Sequence, residues 1–413
     1  ASPGSGWRAC SDACYTPAMR RLLVGILDLY RRGSRAWLRL RGKTPDDVAA
    51  ARVVSGQSWA EFCDTLKAAG ATLSFPGTPQ TPFDQAEGYR YLSRLTRAGL
   101  EAFVEYADPM RPVLHRVVHE TVKMGSDNPD NYYETAQLSG ALEYRIRGQR
   151  NTIPYLSFGT LIGHYGKSGG MPPTGYLEAS QMHFEPDGSF EVLLSREPKP
   201  GNWLPMTLET GTLVVRQTFL DRAHETPAEL VIECLSADAR PQPLTPAQLD
   251  EGLRSASTLV AGASLLFAKW ARDFQQHSNR LPLFDPARSD AAGGDPNIRY
   301  YHSHWALGPD QALVIEVTPP ECEHWNFQLN NYWMESLDYR YFPIHVNKHS
   351  AKYELDGSLR IVVAHRDPGG TNWIDTTGHE SGTMCFRWVR AKDHPQPRTR
   401  VVPLAELLDH ADG

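Results

Sequence analysis

Cysteine is scarce in this chain. Six occur in 413 residues, at positions 10, 14, 63, 234, 322 and 385. They are too few and too scattered for a disulfide framework, so a reducing compartment, the cytoplasm, is expected. Cys10 and Cys14 lack the second pair that a zinc knuckle needs. No apolar run reaches the roughly 20 residues of a membrane-spanning helix, and no signal-peptide core is visible. No Gly-x-Gly-x-x-Gly follows a strand pattern, and Gly166-Lys167-Ser168-Gly169-Gly170 lacks the leading glycine of a phosphate loop. No Gly-x-Ser-x-Gly elbow marks a hydrolase nucleophile. Positive charge is not in excess either: the net charge is −6, which gives no reason to expect nucleic acid.

Proline (31) and glycine (33) are plentiful, as many short strands joined by turns require. The N-terminal quarter nevertheless reads as helical. Residues 16–41 pattern as a basic amphipathic helix, with Leu22, Leu23, Ile26 and Leu27 set among seven arginines. It reads as a docking helix with a solvated arginine face; contact with an anionic membrane surface is the alternative. Ser58 reads as the N-cap of a helix ending at Ala69. A longer helix runs from about Phe83 to Tyr106 and stops at Asp108-Pro109.

From Val113 onward the pattern changes to short apolar runs broken by Asp-Gly turns, and it occurs twice. Tyr144-Arg145-Ile146-Arg147-Gly148 returns as Ala312-Leu313-Val314-Ile315-Glu316. Asp187-Gly188 returns as Asp356-Gly357, and Asn202-Trp203 as Asn372-Trp373. Gly211-Thr212-Leu213 returns as Gly382-Thr383-Met384. The offset between the copies is nearly the same at each of these ordered landmarks, which marks a tandem duplication. Its short strands and hairpin signals predict an α+β, mainly β, chain with two tandem antiparallel jelly-roll-like β-sandwich domains. The expected layout is an N-terminal helical region over 1–110, a first β-domain over 111–240, a helical spacer over 241–292 and a second β-domain over 293–400. Thr245-Pro246 opens the spacer as a cap with proline in the first turn.

Three segments of the second copy carry a family resemblance. They are Trp325-Asn326-Phe327-Gln328-Leu329, Ile344-His345-Val346-Asn347-Lys348-His349 and Asp367-Pro368-Gly369-Gly370-Thr371-Asn372-Trp373-Ile374, followed by Gly378-His379. Here the chain resembles bacterial proteins with the domain of unknown function 1214, over roughly Tyr300 to Val389, and more weakly over Asp127 to Ala228. The resemblance implies tandem jelly-roll-like domains. It implies no chemistry, because fold does not carry function.

Amides, imidazoles and indoles are dense between Trp325 and Trp388. Buried Asn and Gln cost free energy unless hydrogen-bonded, so their mixture with aromatic residues reads as a pocket wall. A polar network that only ties two sheets together is the alternative. Tyr301, Trp325, Trp333 and Trp373 would wall an aromatic ligand, and Asn326, Gln328 and Asn331 would orient its polar groups. His345, His349 or His365 would move protons, since histidine titrates near neutrality. The expected function is a lyase-type enzyme performing elimination or retro-aldol cleavage on a hydrophobic, aromatic small molecule. No cofactor or metal is expected, and the enzyme is expected to be a homo-oligomer.

Trp203 and Trp373 recur in both copies and read as core anchors. Arg216 and Arg387 also recur and read as structural ion-pair partners. A feature present in both copies is expected to serve the shared fold. Two other functional classes compete. His302-Ser303-His304 places two imidazoles on one strand face, as a cupin-like metal enzyme would, with His365 or His379 as a distant partner. His115 and His119 have helical metal-ligand spacing. The other rival is a jelly roll that binds a ligand or carbohydrate without chemistry.

Overall fold

The computed structural model describes residues 42–166, 170–235 and 243–408. The basic helix expected over 16–41 and the Cys10–Cys14 pair lie outside those residues. The chain divides into two compact units. The smaller comprises Ala1–Trp59 and Pro243–Asp250. Its helix α1 (Pro45–Val54) starts at a capping box, in which Thr44 Oγ1 accepts from Asp47 N and the Asp47 carboxylate accepts from Thr44 N. Arg52 Nε lies 2.9 Å from Asp250 Oδ1. Helix α2 (Gln57–Ala69) begins one residue before the expected cap, Ser58, whose hydroxyl donates to Asp250.

The larger unit comprises Ala60–Gln242 and Glu251–Gly413. Its helix α3 (Pro82–Leu100) is capped by Thr81, which accepts from Asp84 N. One π-helical turn, Glu101–Glu105, prolongs α3; such turns recur at functional sites. The spacer forms the long helix α4 (Pro246–Phe274) and the short α5 (Pro286–Ala291). Val260, Ala263, Phe267 and Ala271 of α4 share one core with Tyr91, Leu95 and Ala98 of α3. The helices meet closely at Gly99, where a Cβ would fall 3.0 Å from the Ala256 backbone.

The first β-domain contains β1 (Asn131–Gln137), β2 (Tyr144–Gln149), β3 (Tyr155–Ile162), β4 (Pro173–Glu178), β5 (Ser189–Ser195), β6 (Trp203–Pro205), β7 (Thr210–Thr218) and β8 (Glu229–Cys234). The second contains β9 (Ile298–Ala306), β10 (Gln311–Val317), β11 (His324–Asn330), β12 (His345–Asn347), β13 (Leu359–Ala364), β14 (Trp373–Asp375), β15 (Ser381–Val389) and β16 (Arg398–Pro403). The first domain's sheets run β1-β7-β3-β4 and β6-β5-β2-β8. The second domain's run β9-β15-β11-β12 and β14-β13-β10-β16. Every strand of one domain thus corresponds to the strand eight later. The duplication read from the sequence is a duplication of topology, and each copy has its own apolar core.

Strand β11 is buried on both faces. Side chains alternate along a strand, so Trp325, Phe327 and Leu329 enter the sandwich core, leaving Asn326, Gln328 and Asn330 on the other face. Those three amides meet the segment leading into β1. Asn326 Nδ2 donates to Asp130 Oδ2 (2.7 Å), Gln328 Nε2 to Asp127 O (2.8 Å), and Asn330 Nδ2 to Ser126 Oγ (3.0 Å). Asn347 Nδ2 also donates to Asp130, and the His324 and His345 Nε2 atoms lie 3.1 and 3.3 Å from its oxygens.

The segment leading into β9 makes the reverse crossing. Asp295 accepts from Tyr155 OH (3.0 Å), Ser157 Oγ (3.1 Å) and Tyr176 OH (3.0 Å). Ser157 and Asn326 hold the same register position, opposite Arg216 and Arg387 respectively. Asp130 and Asp295 stand at different positions of equivalent leaders, since Asn128 is the counterpart of Asp295 and Asn297 that of Asp130, yet each carboxylate is gripped by the other domain's sheet.

Burial pushes the Asp130 carboxyl up, but hydrogen bonds and charge from His324 and His345 outweigh it and hold it well below the usual carboxylate range. A carboxyl depressed on folding contributes stability that is fully present above its unfolded value, about 3.9, and is lost as pH falls through the folded value. Asp130→Ala and Asp295→Ala are each expected to lower the unfolding free energy by about 3 kcal/mol in urea, because donors are left buried without their acceptor. Asp130→Ala should also flatten the acid limb of stability below about pH 4. A loss under about 0.5 kcal/mol at either position would contradict the paired clasp.

Candidate functional site

The two β-domains and the helices line a cavity of about 200 Å³ that is partly open to solvent. Phe103, Leu161, Leu259, Phe267, Trp270 and Phe284 supply apolar wall. The π-helical turn delivers Ala102 and Phe103 to it. The polar lining comes largely from equivalent positions of the two domains. Tyr133 on β1 pairs across to Arg216 on β7, and Tyr300 on β9 pairs across to Arg387 on β15. All four residues line the same cavity.

Arg387 is held from behind by the amide face of β11. Its Nη1 donates to Asn326 Oδ1 and Gln328 Oε1, and its Nη2 to Ser126 O. Arg216 is less engaged, and its Nη2 donates to Gly293 O. Among the described residues neither guanidinium has a carboxylate oxygen within 4.0 Å. Burial works against both charges. At Arg216 it is outweighed by Asp295 and the neighbouring tyrosines, at Arg387 by Cys385, Tyr133, Tyr300 and Asp127, so both stay charged. Asp127 also lines the cavity, but its carboxylate accepts from Ser336 N and Ser336 Oγ.

The phenols keep donors available. Tyr133 OH accepts from Asn128 N (3.2 Å) and Tyr300 OH accepts from Asp295 N (3.3 Å). Each proton can therefore go to a further acceptor. His302 is stacked between Phe274 and Tyr300, both at 5.6 Å, with Phe284 edge-on at 5.1 Å. Burial pushes its pKa down to about 3, with the Arg387 charge acting in the same direction, so the imidazole is neutral. Its Nε2 lies 4.0 Å from Cys385 Sγ, and its Nδ1 is buried without a hydrogen-bond partner.

The ten residues singled out in the sequence lie away from this lining. Trp325 is in the second domain's core, its indole N–H on Tyr353 OH. Tyr301 is in the same core and donates to His394 O. Trp333 joins the helical core and donates to Asp84 O, and Trp373 donates to Ala364 O. Asn331 shapes the following turn by accepting from Trp333 N and Glu335 N. Asn326 and Gln328 stand directly behind the cavity as the holders of Arg387. The three histidines are dispersed: His345 faces Asp130, the exposed His349 faces Asp221, and His365 lies between Thr376 Oγ1 and Leu307 O.

Arg216 and Arg387, read as ion-pair partners, instead line the cavity with no carboxylate in contact. The signal that could have found them was an arginine at matching positions inside two apolar strands, Leu213-Val214-Val215-Arg216 and Met384-Cys385-Phe386-Arg387. Arg387 is buried and Arg216 half-buried, and a charge set among apolar strand residues needs an anion or a polar nest. The metal readings find no support in the geometry. His304 is hydrogen-bonded near Ser278, His115 and His119 sit on isolated bridges rather than a helix, and no group of three or more ligating side chains is placed for a metal among the described residues.

The family described as "Protein of unknown function (DUF1214)" matches residues 130–218 and 310–393, one segment in each β-domain. A crystal structure of an uncharacterized protein from Burkholderia cenocepacia is 53% identical, with a TM-score of 0.85, over 86% of this chain and 99% of that one. The VPA0106 protein from Vibrio parahaemolyticus is 12% identical, with a TM-score of 0.43, over 76% of this chain and 98% of that one. No curated protein matches. No described helix is long and apolar enough to cross a membrane.

A histidine held neutral by burial binds fewer protons than its unfolded counterpart, so stability falls as pH drops below the ordinary value of 6.5 and goes on falling toward the folded value near 3. His302→Phe keeps the ring stack and removes that loss. The variant is expected to lose less stability than the parent between about pH 6.5 and pH 4.5 in urea unfolding. Identical pH slopes would contradict a buried neutral imidazole.

Proposed function

We propose that this chain, which belongs to the DUF1214 family, takes a small, largely apolar molecule into the cavity between its β-domains. The observation that carries the reading is the lining: apolar and aromatic walls with a few convergent donors. A concave, mostly apolar cavity of about 200 Å³ with a few polar groups is the usual form of a small-molecule site. A cavity of about 150 Å³ holds one benzene, which sets the ligand here at one ring or a short chain.

Within this reading the lyase-type chemistry on an aromatic substrate passes from His345, His349 and His365 to groups that line the cavity. His302 would take a proton, and Tyr133 and Tyr300 would donate to a developing oxyanion. An imidazole with a pKa near 3 is a weak base until an anion beside it raises that value. The cytoplasm and a homo-oligomeric state belong to the same proposal. The cysteines at 63, 234, 322 and 385 are free thiols, which suits a reducing compartment.

Filling the cavity tests the proposal. Val214 lines it from β7, where a tryptophan is tolerated by strand geometry. A one-ring or short-chain compound that binds at a hundred times its Kd should stabilise the parent by about 2.7 kcal/mol. Val214→Trp should abolish the matching rise in Tm, while His349→Ala leaves it intact. A rise that survives Val214→Trp would place the ligand elsewhere.

A further inference from the structure

The two Tyr–Arg pairs specify more than size. Resting on the ligand reading above, we infer that the occupant is an organic monocarboxylate. Its carboxylate lies against the Arg216 guanidinium, the Tyr133 and Tyr300 hydroxyls donate to it, and its apolar body fills the rest of the cavity.

Three observations converge on this. First, Arg216 carries five N–H donors, and its guanidinium is tied to Gly293 O with no carboxylate within 4.0 Å among the described residues. Arg216 is half-buried, and a guanidinium with so few protein partners on the wall of a largely apolar cavity offers its remaining donors to an anion. Arg387 differs. It is already held by Asn326, Gln328 and Ser126, and so contributes charge and position more than free donors.

Second, the charges do not balance from within. Arg216 and Arg387 face the cavity with Asp127, whose carboxylate is taken by Ser336 and lies near Lys123. Asp295 acts on Arg216 from behind the wall, where it is committed to Tyr155, Ser157 and Tyr176. One more negative charge in the cavity offsets the excess.

Third, the cavity selects among anions. The walls of this cavity of about 200 Å³ are mostly apolar, which suits an acid with an apolar body better than a nucleotide or a phosphorylated sugar. A guanidinium matches the planar oxygen pair of a carboxylate in bidentate fashion. Duplication explains the doubling: equivalent positions on two domains bring two arginines and two phenols to a single anion.

The test compares acids with neutral isosteres on the full chain: benzoate, phenylacetate and hexanoate against benzyl alcohol, phenylethanol and hexanol. Thermal unfolding and calorimetry are the readouts, with the parent, Arg216→Met and Arg216→Lys. At least one acid should raise Tm and its neutral partner should not. Arg216→Met should weaken that acid roughly ten- to a hundredfold, and Arg216→Lys by less. Without any compound, Arg216→Met should melt no lower than the parent, because it removes a half-buried charge that has no carboxylate partner among the described residues. The inference is overturned if no acid shifts Tm, if a neutral isostere binds as tightly as its acid, or if Arg216→Met melts well below the parent. Tight neutral binding abolished by Val214→Trp would leave the apolar ligand reading standing without the anion. Acid binding that survives Val214→Trp would remove both.

Discussion

Asp130 and Asp295 each carry a carboxylate out of one β-domain and into a set of donors on the other. Asp130 is received by His324, Asn326, His345 and Asn347, and Asp295 by Tyr155, Ser157 and Tyr176. The exchange is reciprocal because the leaders into β1 and β9 are equivalent, although the carboxylates stand at different positions within them. A buried carboxylate without donors is strongly unfavourable, so each clasp admits little variation in how the two sheets face. The cavity is a consequence of that facing. The same register positions that grip the carboxylates place Arg216 and Arg387 one strand over.

The site follows from what the clasps leave unpaired. Once Asp295 is committed to three hydroxyls, it influences Arg216 only from a distance. Once Asn326 and Gln328 have turned their oxygens to Arg387, that guanidinium is fixed in place. Two cations therefore face one apolar cavity, with phenol donors beside them. Active and binding sites are where a fold tolerates such arrangements, because the ligand supplies the missing partner.

Much of the architecture was legible in the sequence. The nearly constant offset between recurring landmarks marked the duplication, and strand-for-strand correspondence follows from it. The α3 helix and the Thr245 start of α4 were readable from caps and apolar stripes. The stretch from Trp325 to Asn331 was recognised as unusual, and its amides are indeed buried and bonded. Alternation with period two separates an apolar face from a polar one, but it does not say what covers the polar face. Here the cover is the other domain, contributed by Ser126, Asp127 and Asp130 from far away in the chain. The indoles of Trp325 and Trp333 went to cores, and that of Trp373 packs half-buried against another, for the ordinary reason that large aromatic residues bury well. The rule that repeated features serve the fold pointed away from Arg216 and Arg387. It holds when each copy stands alone. It fails when two copies share one cavity, because equivalent residues then converge on it.

The most direct measurement is a crystal structure of the full chain grown with benzoate at a resolution that orients side-chain amides. Ring density is expected inside the cavity, with both carboxylate oxygens on the Arg216 guanidinium and the Tyr133 and Tyr300 hydroxyls within hydrogen-bond distance. A cavity holding only water, with Arg216 turned onto Asp295, would contradict the carboxylate reading.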